Sequence, residues 1–220
     1  SPPKRAGQKW LFGPPEDPFE ILKEVGSGAM ASVYKCSRRG QLYAVKTIGL
    51  TRLKMQRDYE NHIERLHRET ATLFRLRHAH VVQLYEVFRE QDKLYLVMEY
   101  VDGGELLQEI TRSGRLPEHV ARYVFLQLVS GLRYIHSKGV VHRDLKPENV
   151  LVDGKASRPG LLEIKISDFG HSKFVDDGYS TALTRVGTPL YWAPEVSDSC
   201  LCSRGYDKRV DLWSLGILLH

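Results

Sequence analysis

One segment constrains this chain more than any other: Val141-His142-Arg143-Asp144-Leu145-Lys146-Pro147-Glu148-Asn149-Val150-Leu151. Two acids, a lysine and an amide are packed into a few residues between apolar ones, and charge held beside apolar groups is costly unless partners meet it. A helix is expected just before the segment. It opens at Pro117, carries the apolar stripe Val120, Val124, Leu128, Leu132 and Ile135, and stops at Ser137-Lys138-Gly139. A third acid, Asp168, follows in Ile166-Ser167-Asp168-Phe169-Gly170. A carboxylate to orient a hydroxyl, a cation for a moving phosphoryl group and oxygen ligands for magnesium are what phosphoryl transfer requires.

The amino-terminal half reads differently. Period-two alternation predicts strands at 19–25, 31–37, 41–48, 81–90 and 94–100, with turns at Arg39-Gly40 and Glu90 to Lys93. Ile63, Leu66, Thr70 and Leu73 recur at helical spacing within 56–76, giving a small antiparallel sheet with one main helix. Gly26-Ser27-Gly28 lies between two of the strands, where missing Cβ atoms let backbone amides approach a phosphate; an ordinary hairpin turn is the bland alternative. Lys46 sits in the apolar strand Tyr43-Ala44-Val45-Lys46 and calls for an anionic partner, which Glu69 can supply. Residues 1–18 hold five of the ten prolines and read as a linker or amino-terminal extension that docks through Trp10, Leu11 and Phe12.

The chain has 220 residues, 42% of them hydrophobic and 27% charged, as in a folded globular protein. A net charge of +5 and a pI near 9.0 favour anionic ligands, but the charge is spread along the chain and no nucleic acid is expected as partner. No apolar run is long enough to cross a bilayer, so no membrane association is expected. Cys36, Cys200 and Cys202 give no disulfide framework and suit a reducing, intracellular compartment, cytoplasmic or nuclear.

Five motifs in order make residues 19–220 resemble the eukaryotic protein kinases: the modified glycine loop with Ala31 in place of its third glycine, Tyr-Ala-Val-Lys ending at Lys46, His-Arg-Asp at 142–144, Asp-Phe-Gly at 168–170 and Ala-Pro-Glu at 193–195. The resemblance implies an α+β, bilobal fold. Its antiparallel-sheet lobe would span 19–98, a hinge 99–104, and a mostly helical lobe 105–220, expected to be incomplete at His220. ATP and Mg²⁺ are the cofactors it implies. Carried over position by position, Val25, Gly26, Ser27 and Gly28 would cover the phosphates, and Lys46, paired with Glu69, would bind two of them. Val33, Ala44 and Leu151 would sandwich adenine, Glu99 and Val101 would offer it backbone groups, and Met98 would guard the deeper pocket. Asp144 would orient the substrate hydroxyl and accept its proton, Lys146 would neutralise the transferred group, and Asn149 and Asp168 would hold the metal. Leu73, Leu84, His142 and Phe169 resemble an apolar column, and Asp211 an acid that braces the catalytic loop.

Lys146 and Thr188 resemble serine/threonine rather than tyrosine kinases, so protein substrates bearing Ser or Thr are the expected partners. Glu105, also at the nucleotide site, and Glu148 match acids that receive substrate arginines. Thr184 and Thr188 are the expected activation-loop phosphorylation sites, acted on by an upstream or trans-acting kinase, with Arg143 awaiting the phosphate. His171-Ser172-Lys173 and the threonine spacing look like checkpoint effector kinases with a forkhead-associated domain, within the calmodulin-dependent kinase group. A catalytically inactive nucleotide-binding scaffold and a nucleic-acid binder are the alternatives. Cys200-x-Cys202 and His78-x-His80 lack the second ligand pair of a metal site and read as ordinary loop residues.

Overall fold

A computed structural model describes residues 9–27, 31–51, 70–169, 173–174, 186–198 and 207–220. The chain divides into two compact units, Ser1–Arg75 with Gln83–Tyr100, and Leu76–Val82 with Val101–His220.

The first unit is a six-stranded antiparallel sheet of β1 (Trp10–Phe12), β2 (Phe19–Ser27), β3 (Ala31–Arg38), β4 (Gln41–Gly49), β5 (Leu84–Glu90) and β6 (Lys93–Glu99), in the order β1-β2-β3-β4-β6-β5. Arg39 and Gly40 both take positive φ, 52° and 78°, the two-residue turn whose twist suits a hairpin. Strand alternation separates two faces. Tyr43, Val45 and Thr47 of β4 are buried in an apolar layer with Phe12, Phe19, Tyr34, Cys36, Tyr95 and Val97, while Ala44 and Lys46 lie half-buried on the opposite face. A second cluster joins Leu50, Leu84, Leu94 and Leu96 to Leu73 and Met98. Of the expected helix over 56–76, residues 70–75 are helical, and 56–69 lie outside the described residues.

Two features depart from the expected strands. Residues 81–83 do not extend β5: Val82 donates its N–H to Ile166 O at 2.9 Å and Val81 bridges Ile166, so the backbone of these two valines is engaged within the second unit. Within the segment expected to be a linker or extension, Trp10–Phe12 pairs with β2. Phe12 explains the docking. Its ring stacks on Tyr95 at 4.7 Å and Phe19 at 5.1 Å, and Trp10 meets Tyr34 edge-on at 4.9 Å. Lys9 pairs with Glu20 at 2.9 Å, the Gly13 N–H donates to Glu90, and Asp17 pairs with Arg39 at 2.9 Å. Arg38 forms a bidentate pair with Glu86 and lies 4.0 Å above the Phe19 ring.

The second unit is built on α1 (Leu106–Ser113) and α2 (Glu118–Ser137), then β7 (Val140–Val141), β8 (Val150–Val152), β9 (Ile164–Ile166), β10 (Lys173–Phe174), the single turn α3 (Pro194–Ser197) and α4 (Arg209–Leu219). The α2 stripe Val120, Val124, Leu128, Leu132 and Ile135 is buried. Pro117 caps the helix, with an extended ψ of 146°, one residue before its first turn. Gly131 lets β9 come close, since a Cβ there would lie 2.8 Å from Ile166 Cδ1. Buried Gln127 receives Ile164 N–H at 3.0 Å and donates to Leu162 O at 2.8 Å, satisfying backbone groups around β9 that no strand serves. No described helix is long and apolar enough to cross a membrane.

Truncating Phe12 to alanine removes both stacks and leaves a cavity in the aromatic layer, and should lower the unfolding free energy in urea by about 3–5 kcal/mol. Leu11→Ala, at an exposed position, should change it by less than about 0.5 kcal/mol. Equal effects would show the segment to be a free tail. Burial, opposed by the nearby Arg38 cation, pushes the Cys36 thiol from 9.0 up to about 12. The folded protein therefore holds a proton that an unfolded thiol releases, so the stability this contributes is whole below about pH 9 and is lost as pH rises toward 12. Iodoacetamide at pH 8.5 should spare Cys36 until urea is added; alkylation of the folded protein would contradict this burial.

Candidate active site

In the second unit, α2 and β7 lead into the loop that carries Asp144. Pro147–Asn149 form a single 3-10 turn, and β8 follows at once. This tight course aims three side chains at one point. Asp144, 6% exposed, accepts through Oδ1 from the Thr188 N–H and the Thr188 hydroxyl, each at 2.8 Å. Its Oδ2 accepts from Asn149 Nδ2 at 3.0 Å and lies 3.5 Å from Lys146 Nζ, which donates to Thr188 Oγ1 at 2.7 Å. Asn149 Nδ2 also donates to Asp144 O at 2.7 Å, which leaves the amide oxygen as the acceptor it can offer a cation.

The loop is fixed from beneath by Asp211, on α4. Its fully buried carboxylate accepts His142 N–H through Oδ2 and Arg143 N–H through Oδ1, both at 2.8 Å, and His136 Nε2 lies 2.7 Å from Oδ2. Arg143 is held at φ 68°, a conformation uncommon for a residue with a side chain. Gly187 packs against it: at φ 91°, with a would-be Cβ 2.4 Å from Arg143 O, only glycine fits without movement. The buried ring of His142 contacts Ser167 O through Nε2 at 2.8 Å and meets Phe169 edge-on at 5.1 Å. Ser167 in turn donates through N and Oγ to Asn149 O, at 2.8 and 3.0 Å. The turn bearing Asp168, exposed and at φ 55°, is therefore tied to the loop bearing Asn149.

Other expected residues fall around this centre. Glu105 stands immediately before α1 and bridges Leu151, and Gly103 and Gly104 exchange hydrogen bonds with Val152 at 2.9 and 2.8 Å. Val101 is half-buried just before them. Glu148 Oε2 is enclosed and, among the described residues, is one of two buried side-chain polar atoms with no hydrogen-bond partner. Burial, and after it the Glu148 charge, push the Tyr191 phenol above its ordinary value.

In the first unit, register places Val33 opposite Lys46, Lys46 opposite Leu96 and Ala44 opposite Met98, so these side chains share one face of the sheet. Val25, Gly26 and Ser27 are exposed at the end of β2. The Glu99 N–H is taken by Gln83 O at 2.8 Å. Gly28, Glu69 and Thr184 lie outside the described residues, and with them the expected Lys46–Glu69 pair.

Oxygen donors from Asn149 and Asp168 suit a hard cation such as Mg²⁺. Among the described residues no group of three or more His, Cys, Asp or Glu side chains could hold a metal. Of the expected residues, Asp144, Lys146, Asn149 and Asp211 lie together, and His136 and Gly187 join them through contacts with distant partners that local sequence pattern does not reveal. Gly187→Ala should push Thr188 off Asp144, lowering stability by about 1–3 kcal/mol and exposing the Thr188 amide to hydrogen exchange. An unchanged exchange rate there would show the close approach to be relaxed in solution.

The family model described as Protein kinase domain matches residues 19–220. CBL-interacting serine/threonine-protein kinase 14 of Arabidopsis thaliana is 42% identical over 99% of this chain and 46% of its own length. CBL-interacting protein kinase 9 of Oryza sativa subsp. japonica is 42% identical over 91% of the chain and 42% of its own. The probable serine/threonine-protein kinase fhkC of Dictyostelium discoideum is 37% identical over 94% and 34%. The chain thus spans less than half the length of these curated relatives. The ordered motifs, the sheet and helices, and the matched residues lead to one conclusion: the chain belongs to the protein kinase family, with serine/threonine kinases as its homologues.

Proposed function

We propose that this protein transfers the γ-phosphoryl group of MgATP to serine or threonine hydroxyls of protein substrates, in sequences carrying arginine before the acceptor. The observation that carries the reading is the convergence of Thr188, Lys146 and Asn149 on the Asp144 carboxylate. A substrate hydroxyl would bind beside Asp144 as the Thr188 hydroxyl does at 2.8 Å, and Asp144 would orient it and receive its proton. Lys146 supplies a fixed cation for charge that grows on the transferred group. Asn149 and Asp168 would hold Mg²⁺, which when bound neutralises phosphate oxygens. Lys46 and the sheet face bearing Val33, Ala44 and Met98 would serve the nucleotide.

The enclosed, unpartnered Glu148 oxygen supports the arginine preference, since a guanidinium would meet a carboxylate atom that nothing else among the described residues satisfies. Glu105 would be the second such acid. Thr184 is the activation-loop site we assign to an upstream or trans-acting kinase. Thr188 is less suited to that role, because its hydroxyl is engaged with Asp144 and Lys146 and a phosphate there would set two anions together. Placement beside the forkhead-associated checkpoint kinases rests on His171-Ser172-Lys173, of which the first two lie outside the described residues.

With labelled MgATP and a serine peptide carrying arginine, the protein should transfer phosphate, and Asp144→Asn should cut kcat by about 10²–10⁴-fold. Glu148→Ala should raise KM for that peptide by about tenfold and leave a peptide without arginine unaffected. Magnesium-independent ATP binding without any transfer would favour the scaffold reading instead.

A further inference from the structure

We infer that residues 9–17 form a clasp that closes the sheet of the first unit edge to edge, and that through it Phe12 is a positioning residue for nucleotide binding; the inference rests on the kinase reading above. β1 and β5 stand at opposite ends of the strand order. The β1 segment nevertheless reaches the far end. The Gly13 N–H donates to the Glu90 carboxylate at the end of β5, and the Lys93 ammonium lies 5.4 Å from the centre of the Trp10 ring. The Phe12 ring stacks on Tyr95 of β6 at 4.7 Å and meets Phe88 of β5 edge-on at 6.4 Å. At the same time β1 is paired with β2, in the register Trp10↔Ile21, Leu11↔Glu20 and Phe12↔Phe19. The segment is thus attached to both edges of the sheet, which curls round its aromatic layer until they meet. Its later end is tied as well, since Asp17 pairs with Arg39 at 2.9 Å and the neighbouring Arg38 pairs with Glu86 of β5.

Phe12 sits where this closure bears on β4. It stacks on Phe19, whose ring meets Tyr43 edge-on at 5.4 Å, and on Tyr95, the cross-strand partner of Thr47. Tyr43 and Thr47 are the outer two of the three β4 residues buried on the aromatic side, and Ala44 and Lys46 lie between them on the other. A ring that braces both ends of this stretch sets the twist of the strand within it, and so the direction in which Lys46 leaves the sheet beside Val33 and Leu96. Gly13 makes the crossing possible: at φ 88°, with a would-be Cβ 3.3 Å from Phe19 Cδ2, it turns the chain out of β1 where a side chain would be strained. The clasp precedes residues 19–220, which the family model matches. None of its residues is one we assign to nucleotide, metal or substrate, so loosening it should weaken nucleotide binding and spare the transfer step.

The test measures ATP binding by equilibrium dialysis, steady-state transfer to the serine peptide and amide exchange, all in the full chain. Phe12→Ala should raise Kd for ATP about tenfold and Glu90→Ala about threefold, with kcat at saturating ATP and KM for the peptide each within about twofold of wild type. The amides of β4 should exchange faster in both. Phe12→Leu keeps apolar bulk between the rings and should bring Kd back to within about threefold, and Leu11→Ala, at an exposed position, should match wild type. Wild-type ATP affinity in folded Phe12→Ala and Glu90→Ala would overturn the inference, as would a fall in kcat with ATP affinity unchanged. Should Phe12→Ala not fold, Glu90→Ala carries the test alone, and wild-type ATP affinity in it would overturn the inference. A wild-type protein that binds no ATP would defeat the kinase reading on its own, and exchange of the β4 amides would still decide whether the clasp braces that strand.

Discussion

A carboxylate with none of its surface in water is costly unless donors meet its oxygens, and Asp211 is such a group, with three of them within 2.8 Å. Its oxygens hold two successive backbone amides of the loop that carries Asp144, one of them in a left-handed conformation that few residues with side chains adopt. The order of Asp144, Lys146, Asn149 and Thr188 follows from that anchor. Without it the loop would relax toward ordinary φ, Gly187 would no longer need to be a glycine, and the contacts that converge on Asp144 would have no fixed target.

The sheet unit relies on a different device. One face is closed by aromatic rings, with Phe12 between Phe19 and Tyr95, and Arg38 lies over Phe19 while paired with Glu86. Burying that face leaves the opposite one free to carry a lysine among small and apolar side chains, as Val33, Ala44, Lys46 and Met98 do. The amino-terminal segment lies before the residues that the family match covers, yet it completes the layer that gives β4 its two unlike faces.

Much of this was legible from local pattern. Alternation located β2, β3, β4 and β6 to within a residue or two, and the α2 stripe was read residue for residue, because strand and helix periods belong to neighbours in sequence. The acids and amide of the 141–151 loop were legible because charge there has few other uses. What escaped depends on partners far along the chain. Docking through Trp10 to Phe12 was expected, but three residues carry no periodicity, so their pairing as a strand with β2 was not legible. Val81 and Val82 look like the start of a strand, and only the position of Ile166 diverts their backbone groups. His136 looks like an ordinary helix-end histidine until Asp211, 75 residues later, is seen beside it.

Central here is that the buried Asp211 carboxylate sets the geometry of the loop bearing Asp144, the site we propose for phosphate transfer. The most direct measurement is single-turnover phosphate transfer by Asp211→Asn, with folding monitored by circular dichroism. An asparagine keeps the shape but turns one acceptor into a donor facing another donor. The account predicts a folded protein whose chemical step is slower by at least about 10²-fold. A folded Asp211→Asn protein with wild-type turnover would contradict it.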